Sequence, residues 1–255
     1  MADRPSSSPS SPTREAVHRG PEEPLHEHHH RKVQGGAARA AVFGISDGLV
    51  SNVSLILGVA GANPAPGVVR LAGLAGLVGG AFSMAAGEYV SMRAQTELLE
   101  RELEMERVEL RRSPENERRE LAAIYQSRGV APDIADELAA QMMRDPELAL
   151  ETHAREELGI DPEELGSPVQ ASVSSFLAFA FGAVLPLIPW FVTRGTAGTI
   201  GSVVVGALAA VAIGVALAAF TGRSAVRSAL RQLAIAAAAA GVTFAVGNAV
   251  GVGVA

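Results

Sequence analysis

Five stretches of this chain, residues 40–62, 68–92, 169–192, 196–220 and 232–253, are each 20 or more residues long and almost wholly apolar. A helix rises about 1.5 Å per residue, so each can cross the ~30 Å hydrocarbon core of a bilayer. Inside hydrocarbon every backbone N–H and C=O needs a partner within the protein, and a run of this length meets that need as a helix. The expectation is an all-α membrane protein with five transmembrane helices. Turn-forming residues separate the runs: "NPAPG" at 63–67, "TRGTAG" at 193–198 and "TGRSAVRS" at 221–228. In the second run, Gly76-xxx-Gly80 and Ser83-xxx-Gly87 are small-residue faces that allow close helix approach.

The rest of the chain is as polar as the runs are apolar. Residues 1–36 hold "PSSSPSSP" and the histidines His26, His28, His29 and His30, and read as a disordered His/Ser/Pro-rich tail whose imidazoles have no scaffold to fix a metal. With no apolar core, the N-terminus does not resemble a cleaved signal peptide. Residues 37–92 carry helices 1–2 and residues 168–255 helices 3–5. Between them, residues 93–167 contain 20 of the chain's 27 acidic residues against 10 arginines. Arg31, Lys32 and Arg39 precede the first run, and Arg223, Arg227 and Arg231 lie between the last two. The opposite connections carry only Arg70 and Arg194. An excess of basic residues marks the cytoplasmic side, so the N-terminus and the acidic segment are expected in the cytoplasm and the C-terminus outside. The chain has no cysteine, so a metal would need carboxylate, imidazole, amide or thioether ligands.

The acidic segment reads as a small helical bundle. No Gly or Pro interrupts residues 88–112, so the second transmembrane helix is expected to run on well past the bilayer. Ser113-Pro114, Ala131-Pro132, Asp145-Pro146 and Asp161-Pro162 mark new helix starts, with proline at the first helical position. Glu106 and Glu109 are three residues apart and share a helix face; Glu117 and Glu120 repeat the spacing. A hairpin centred on Ser113 would set Glu109 opposite Glu117 and Glu106 opposite Glu120, converging four carboxylates on one divalent cation. A solvated face laced with ion pairs such as Glu97–Arg101 and Glu115–Arg119 is the competing reading, and spacing alone does not separate the two. Met142 and Met143 are either core filler or thioether ligands, with Glu147 and Glu151 one turn further along. His153 stands alone and reads as structural or exposed.

Within the apolar runs, Asp47, Ser51 and Ser54 form a polar stripe at i, i+4 and i+7, which must face protein or water. No basic residue lies at the depth of Asp47 in any run. An ionisable residue at membrane depth marks an ion pathway, and its carboxylate is neutralised either by a cation or by a proton. Met84 and Glu88, one turn apart in the second run, add a thioether and a second carboxylate.

The stretches "FGISDGLVSNVSLILGVAGA" and "GAFSMAAGEYVSM", followed by a Glu-rich extension and a terminal pair of Ala/Gly-rich runs, resemble the vacuolar iron transporter family in its bacterial branch over roughly residues 37–255. The resemblance implies a five-helix homodimer in a bacterial cell membrane that exports cytosolic Fe²⁺, and often Mn²⁺, in exchange for protons. It implies a transmembrane metal site at Asp47 and Met84, with Glu88 as a candidate neighbour, and a cytoplasmic metal-binding domain using Glu106, Glu109, Glu117, Glu120, Met142, Met143 and Glu147. Plant relatives carry an additional acid where this chain has Gly76, and no acid matching Glu88. Divalent metal ions, the bilayer and a second copy are the expected partners; no enzymatic activity, no cofactor beyond the transported ion and no nucleic acid are expected. The alternative is a membrane-anchored carboxylate-rich metal-binding or ferroxidase module that does not transport. Carboxylate-bridged di-iron bundles normally use Glu-x-x-His motifs, and residues 93–167 contain none.

Overall fold

A computed structural model describes residues 36–162 and 166–254, with side chains from 39 to 251 within those limits. The His-rich tail therefore lies outside the described residues. The helices are α1 (Gly36–Gly61), α2 (Pro66–Arg112), α3 (Pro114–Ser127), α4 (Pro132–Met142), α5 (Pro146–Glu156), α6 (Pro168–Val184), α7 (Pro189–Val192), α8 (Gly195–Thr221) and α9 (Ala225–Val254). No strand occurs among the described residues. Five of the helices are long and apolar enough to cross a membrane: α1, α2, α6 with the turn after it, α8 and α9.

The central element is α1, which packs on α6, α9, α2 and α8. Its approach to α6 is close because Gly44 and Gly48 lie one turn apart against the α6 backbone. A Cβ on Gly48 would overlap the Phe179 carbonyl, and one on Gly182 of α6 would overlap the Ile45 carbonyl. Between apolar helices in lipid, small residues supply the dispersion contact that larger ones would block. The small-residue rows expected in α2 behave differently: Gly76 and Gly80 do meet Leu55 and Phe179, whereas Gly87 faces open space within this chain. Leu49, Ala210, Ile213 and Ala236 tie α1 to α8 and α9.

Two boundaries differ from the sequence expectation. The third run was expected as one helix over 169–192, but α6 ends at Val184 and a 3₁₀ turn at Leu185–Leu187 leads into the short α7. Pro186 and Pro189 each remove a backbone donor, and neither can continue the preceding helix without a break. The last helix begins at Ala225, not residue 232, because the arginines at 227 and 231 sit on its first turns.

As expected, α2 is one uninterrupted helix of 47 residues, about 70 Å long. Its apolar half, 66–92, continues into the charged half, 93–112, on which α3 and α5 pack, with α4 against both of them. Prolines 114, 132 and 146 occupy first helical positions, as the sequence indicated. Asp145 caps α5 by accepting from the Glu147 and Leu148 amides at 2.8 and 3.2 Å. The helix expected from Asp161-Pro162 falls on residues 163–165, outside the described ones. The small core of this bundle is Leu121, Ala122 and Ala139, with Tyr125 and Met142 against it.

Candidate metal sites

The first site is a cavity of about 450 Å³ between α1 and α2, closed at one side by Phe179 of α6. Asp47, Met84 and Glu88 all line it, together with Ser51, Asn52 and Ser83. The Gly44/Gly48 contact fixes α1 against α6, and Asp47, one residue before Gly48, is thereby turned away from that contact toward α2. Ser51 donates a hydrogen bond to Asp47 Oδ1 at 3.1 Å. Ser54, expected on the same stripe, is buried outside the cavity lining.

Two features of this cavity were not anticipated. Asn52 is 1% exposed; its Nδ2 donates to the Ala183 carbonyl at 2.6 Å, while Oδ1 has no hydrogen-bond partner among the described residues. That oxygen lies beside Gly76, where a Cβ would come within 2.9 Å of it. The only sequence signal was an amide within an apolar run. At the cavity mouth, the Glu88 carboxylate pairs with Arg39 at 3.0 Å, so Glu88 already holds a counter-charge. The cavity thus presents a carboxylate, a second carboxylate held by an arginine, two hydroxyls, an amide oxygen and a thioether, a donor set matched to a borderline divalent cation.

The second site lies where α2, α3 and α5 meet. The hairpin at Ser113 brings Glu106 of α2 against Glu117 of α3, both buried. His153 in the last turn of α5, fully buried, points its Nδ1 at Glu106 Oε1 (3.2 Å) and at Glu157 Oε2 (3.3 Å). One ligand atom from each of Glu106, Glu117, His153 and Glu157 lies within 4.8 Å of all the others. Glu109 and Glu120 remain exposed at the edge of this group. Their charges are still felt: burial first, then Glu157, Glu117, Glu109 and Glu120, push the Glu106 carboxyl up to about 7. Burial and the same neighbours also raise Glu117, while His153 acts in the opposite direction.

The methionines and Glu147 are elsewhere. Met142 packs into the bundle core. Met143 and the exposed Glu147 line a separate groove of about 600 Å³ with Arg107, Arg111 and Glu151. His153 and Glu157 were missed because their placement depends on how α5 docks against α2, which no local spacing encodes. The ion-pair pattern also differs: Glu97 accepts from Arg93 at 2.7 Å, not from Arg101, and Glu115 is held mainly by Arg118 at 2.9 Å, with Arg119 at 4.0 Å.

A family model described as the VIT family matches residues 38–248. The chain is 41% identical over 197 residues to the "Vacuolar iron transporter" of Acanthamoeba castellanii, covering 76% of this chain and 71% of that protein. It is 30% identical to "Vacuolar iron transporter 1" of Eucalyptus grandis, over 85% of this chain and 87% of the relative. Identity to "Vacuolar iron transporter 1" of Arabidopsis thaliana is also 30%, over 86% and 89%.

Proposed function

This chain belongs to the VIT family, and from that premise we propose that it is a membrane transporter that removes Fe²⁺, and also Mn²⁺, from the cytosol in exchange for protons. The observation that carries this reading is the α1–α2 cavity, which gathers Asp47, Met84 and Glu88 from two membrane-spanning helices. A carboxylate in that setting must hold a cation or a proton. A metal arriving at Asp47 displaces the proton, and a proton returning from the far side releases the metal; that competition couples the two fluxes. Ser51 and Asn52 supply neutral oxygens that complete the ion's shell without adding charge.

In this reading the α2–α5 bundle lies on the cytoplasmic face and captures the cation before transfer. Its buried Glu106 and Glu117 provide the charge, and the exposed Glu109 and Glu120 attract the ion from solution. Two copies pair in the membrane, with the cavity near their interface. The relatives' names, which specify iron transport, support the choice of substrate class.

Reconstitution into proteoliposomes tests the proposal. Fe²⁺ or Mn²⁺ flux should rise with an opposing pH gradient and collapse in Asp47→Asn, with Met84→Leu reducing it further for the softer ion. Flux that ignores the pH gradient, or survives Asp47→Asn unchanged, refutes the mechanism.

A further inference from the structure

We propose that Arg39 is a tethered counter-ion of the membrane cavity: its guanidinium holds Glu88 until a divalent cation takes its place. The inference rests on the reading of this cavity as the transport site and adds what occupies Glu88 between ions.

The placement follows from two helix faces. Arg39, Phe43, Asp47 and Ser51 succeed one another at intervals of four residues on α1, and the last three line the cavity. Gly76, Gly80, Met84 and Glu88 keep the same interval on α2, and all four line it. Residues four apart share a side of a helix. Arg39 and Glu88 meet at the end of these two rows, Nη2 to Oε1 at 3.0 Å. Among the described residues this is the one ion pair between α1 and α2. The charged half of α2 begins just past Glu88, at Arg93. The pair therefore stands at the end of the cavity nearer the bundle, where a captured ion enters.

A guanidinium keeps its proton at any pH the protein meets. Deprotonation cannot clear Glu88, so the arginine leaves only by moving. Its side chain is 63% exposed against 15% for Glu88, which lets it swing into solvent while the carboxylate stays at the cavity. A monovalent ion brings no more charge than the group it would displace, whereas a divalent ion brings twice as much. Arg39 thus sets a charge threshold for entry, and by returning to Glu88 it limits how tightly the cavity holds its ion. It is a positioning residue that acts through Glu88. An exposed pair contributes little to the fold, and α1 is already fixed by the contacts of Gly44 and Gly48 with α6.

The chain has no cysteine, so Arg39→Cys introduces its sole thiol at an exposed position. The full-length variant in proteoliposomes is capped with neutral methyl methanethiosulfonate or with the aminoethyl analogue, which restores a positive charge. Initial Mn²⁺ flux is then measured from the bundle side. An adjacent opposite charge changes a carboxylate's hold on a proton by about ten- to a thousandfold, and a metal cation meets the same competition. The neutral cap should therefore lower the KM for Mn²⁺ about tenfold or more, and excess K⁺ should then inhibit. The cationic cap should keep KM near wild type and resist K⁺. Both caps share one folded preparation, so a folding defect cannot produce the difference. Arg93→Cys, whose native arginine pairs with Glu97 away from the cavity, should give one KM with either cap. Equal KM or equal K⁺ inhibition for the two caps at position 39 overturns the inference and leaves the transport reading standing. So does an equal effect at position 93, which would mark a general surface field. Wild-type protein that moves no Mn²⁺ overturns both.

Discussion

Replacing Glu106 with glutamine should stabilise the metal-free bundle at pH 8 while abolishing its response to metal. In the folded protein the Glu106 carboxyl is raised from 4.5 to about 7 by burial and four neighbouring glutamates. A group whose folded value is raised contributes stability that is complete below the unfolded value and is lost as pH rises through the folded one. For Glu106 that loss runs from about pH 4.5 to about pH 7. At 1.36 kcal/mol per unit, the interval corresponds to about 3 kcal/mol. Glutamine mimics the protonated carboxyl at every pH, so Glu106→Gln should match wild type near pH 4.5 and exceed it by up to ~3 kcal/mol at pH 8.

Hydrogen–deuterium exchange on the intact protein, corrected for the intrinsic rate at each pH, reads local opening of α3 and α5 directly. In wild type, protection of 114–127 and 146–156 should fall between pH 5 and pH 8 and be restored by Mn²⁺. In Glu106→Gln it should fall less over the same range, the remainder coming from the buried Glu117, and be indifferent to Mn²⁺. Lower protection in the variant than in wild type at pH 8, without metal, would refute the reasoning, since it would mean that the ionised carboxylate is held by donors and not strained by its neighbours.

Two further outcomes follow from packing. Gly48→Ala places a Cβ into the Phe179 carbonyl and should cost at least the 1–3 kcal/mol typical of overpacking, lowering the folded fraction in detergent; Gly241→Ala, which meets nothing within 4 Å, should not. Met142→Leu should leave Mn²⁺ affinity unchanged within about twofold, because the swap conserves core volume, whereas Glu117→Gln should lower it about tenfold or more; calorimetry on the full chain compares them.

Much of this is legible in the sequence because the deciding signals are local. Runs of apolar residues set the spans, prolines set the starts of α3, α4 and α5, and the symmetric Glu spacing about Ser113 points to carboxylates meeting between α2 and α3; its register, Glu109 opposite Glu117 and Glu106 opposite Glu120, differs from the fold, which brings Glu106 to Glu117 and leaves Glu109 and Glu120 exposed. What escaped depended on rotation and docking. Three residues along a helix turn through about 300°, which suffices to bury Glu106 and leave Glu109 in solvent. A lone histidine has no periodic partner, so the burial of His153 emerges only when α5 packs on α2. The break after Val184 was visible as two prolines, but hydropathy, which counts proline as only mildly polar, runs straight through them. In the sequence Arg39 is a topology signal, and its pairing with Glu88 depends on the crossing of α1 and α2.

The continuity of α2 joins the two sites. Met84 and Glu88 line the membrane cavity and Glu106 lies in the bundle, all on one helix without a Gly or Pro between residues 88 and 106. Eighteen residues separate Glu88 from Glu106, about 27 Å along the axis. That is far beyond any shared coordination shell, so in the proposed cycle a cation captured in the bundle is released before it reaches Asp47. It is also a rigid span, because kinks arise at proline, glycine pairs or inserted groups, and this stretch has neither proline nor glycine. A tilt of α2 at the cavity, where Arg39 holds Glu88, would therefore carry with it Glu106 and the helices packed on α2, α3 and α5, so the proposed capture site would move as one lever with the membrane half of the helix.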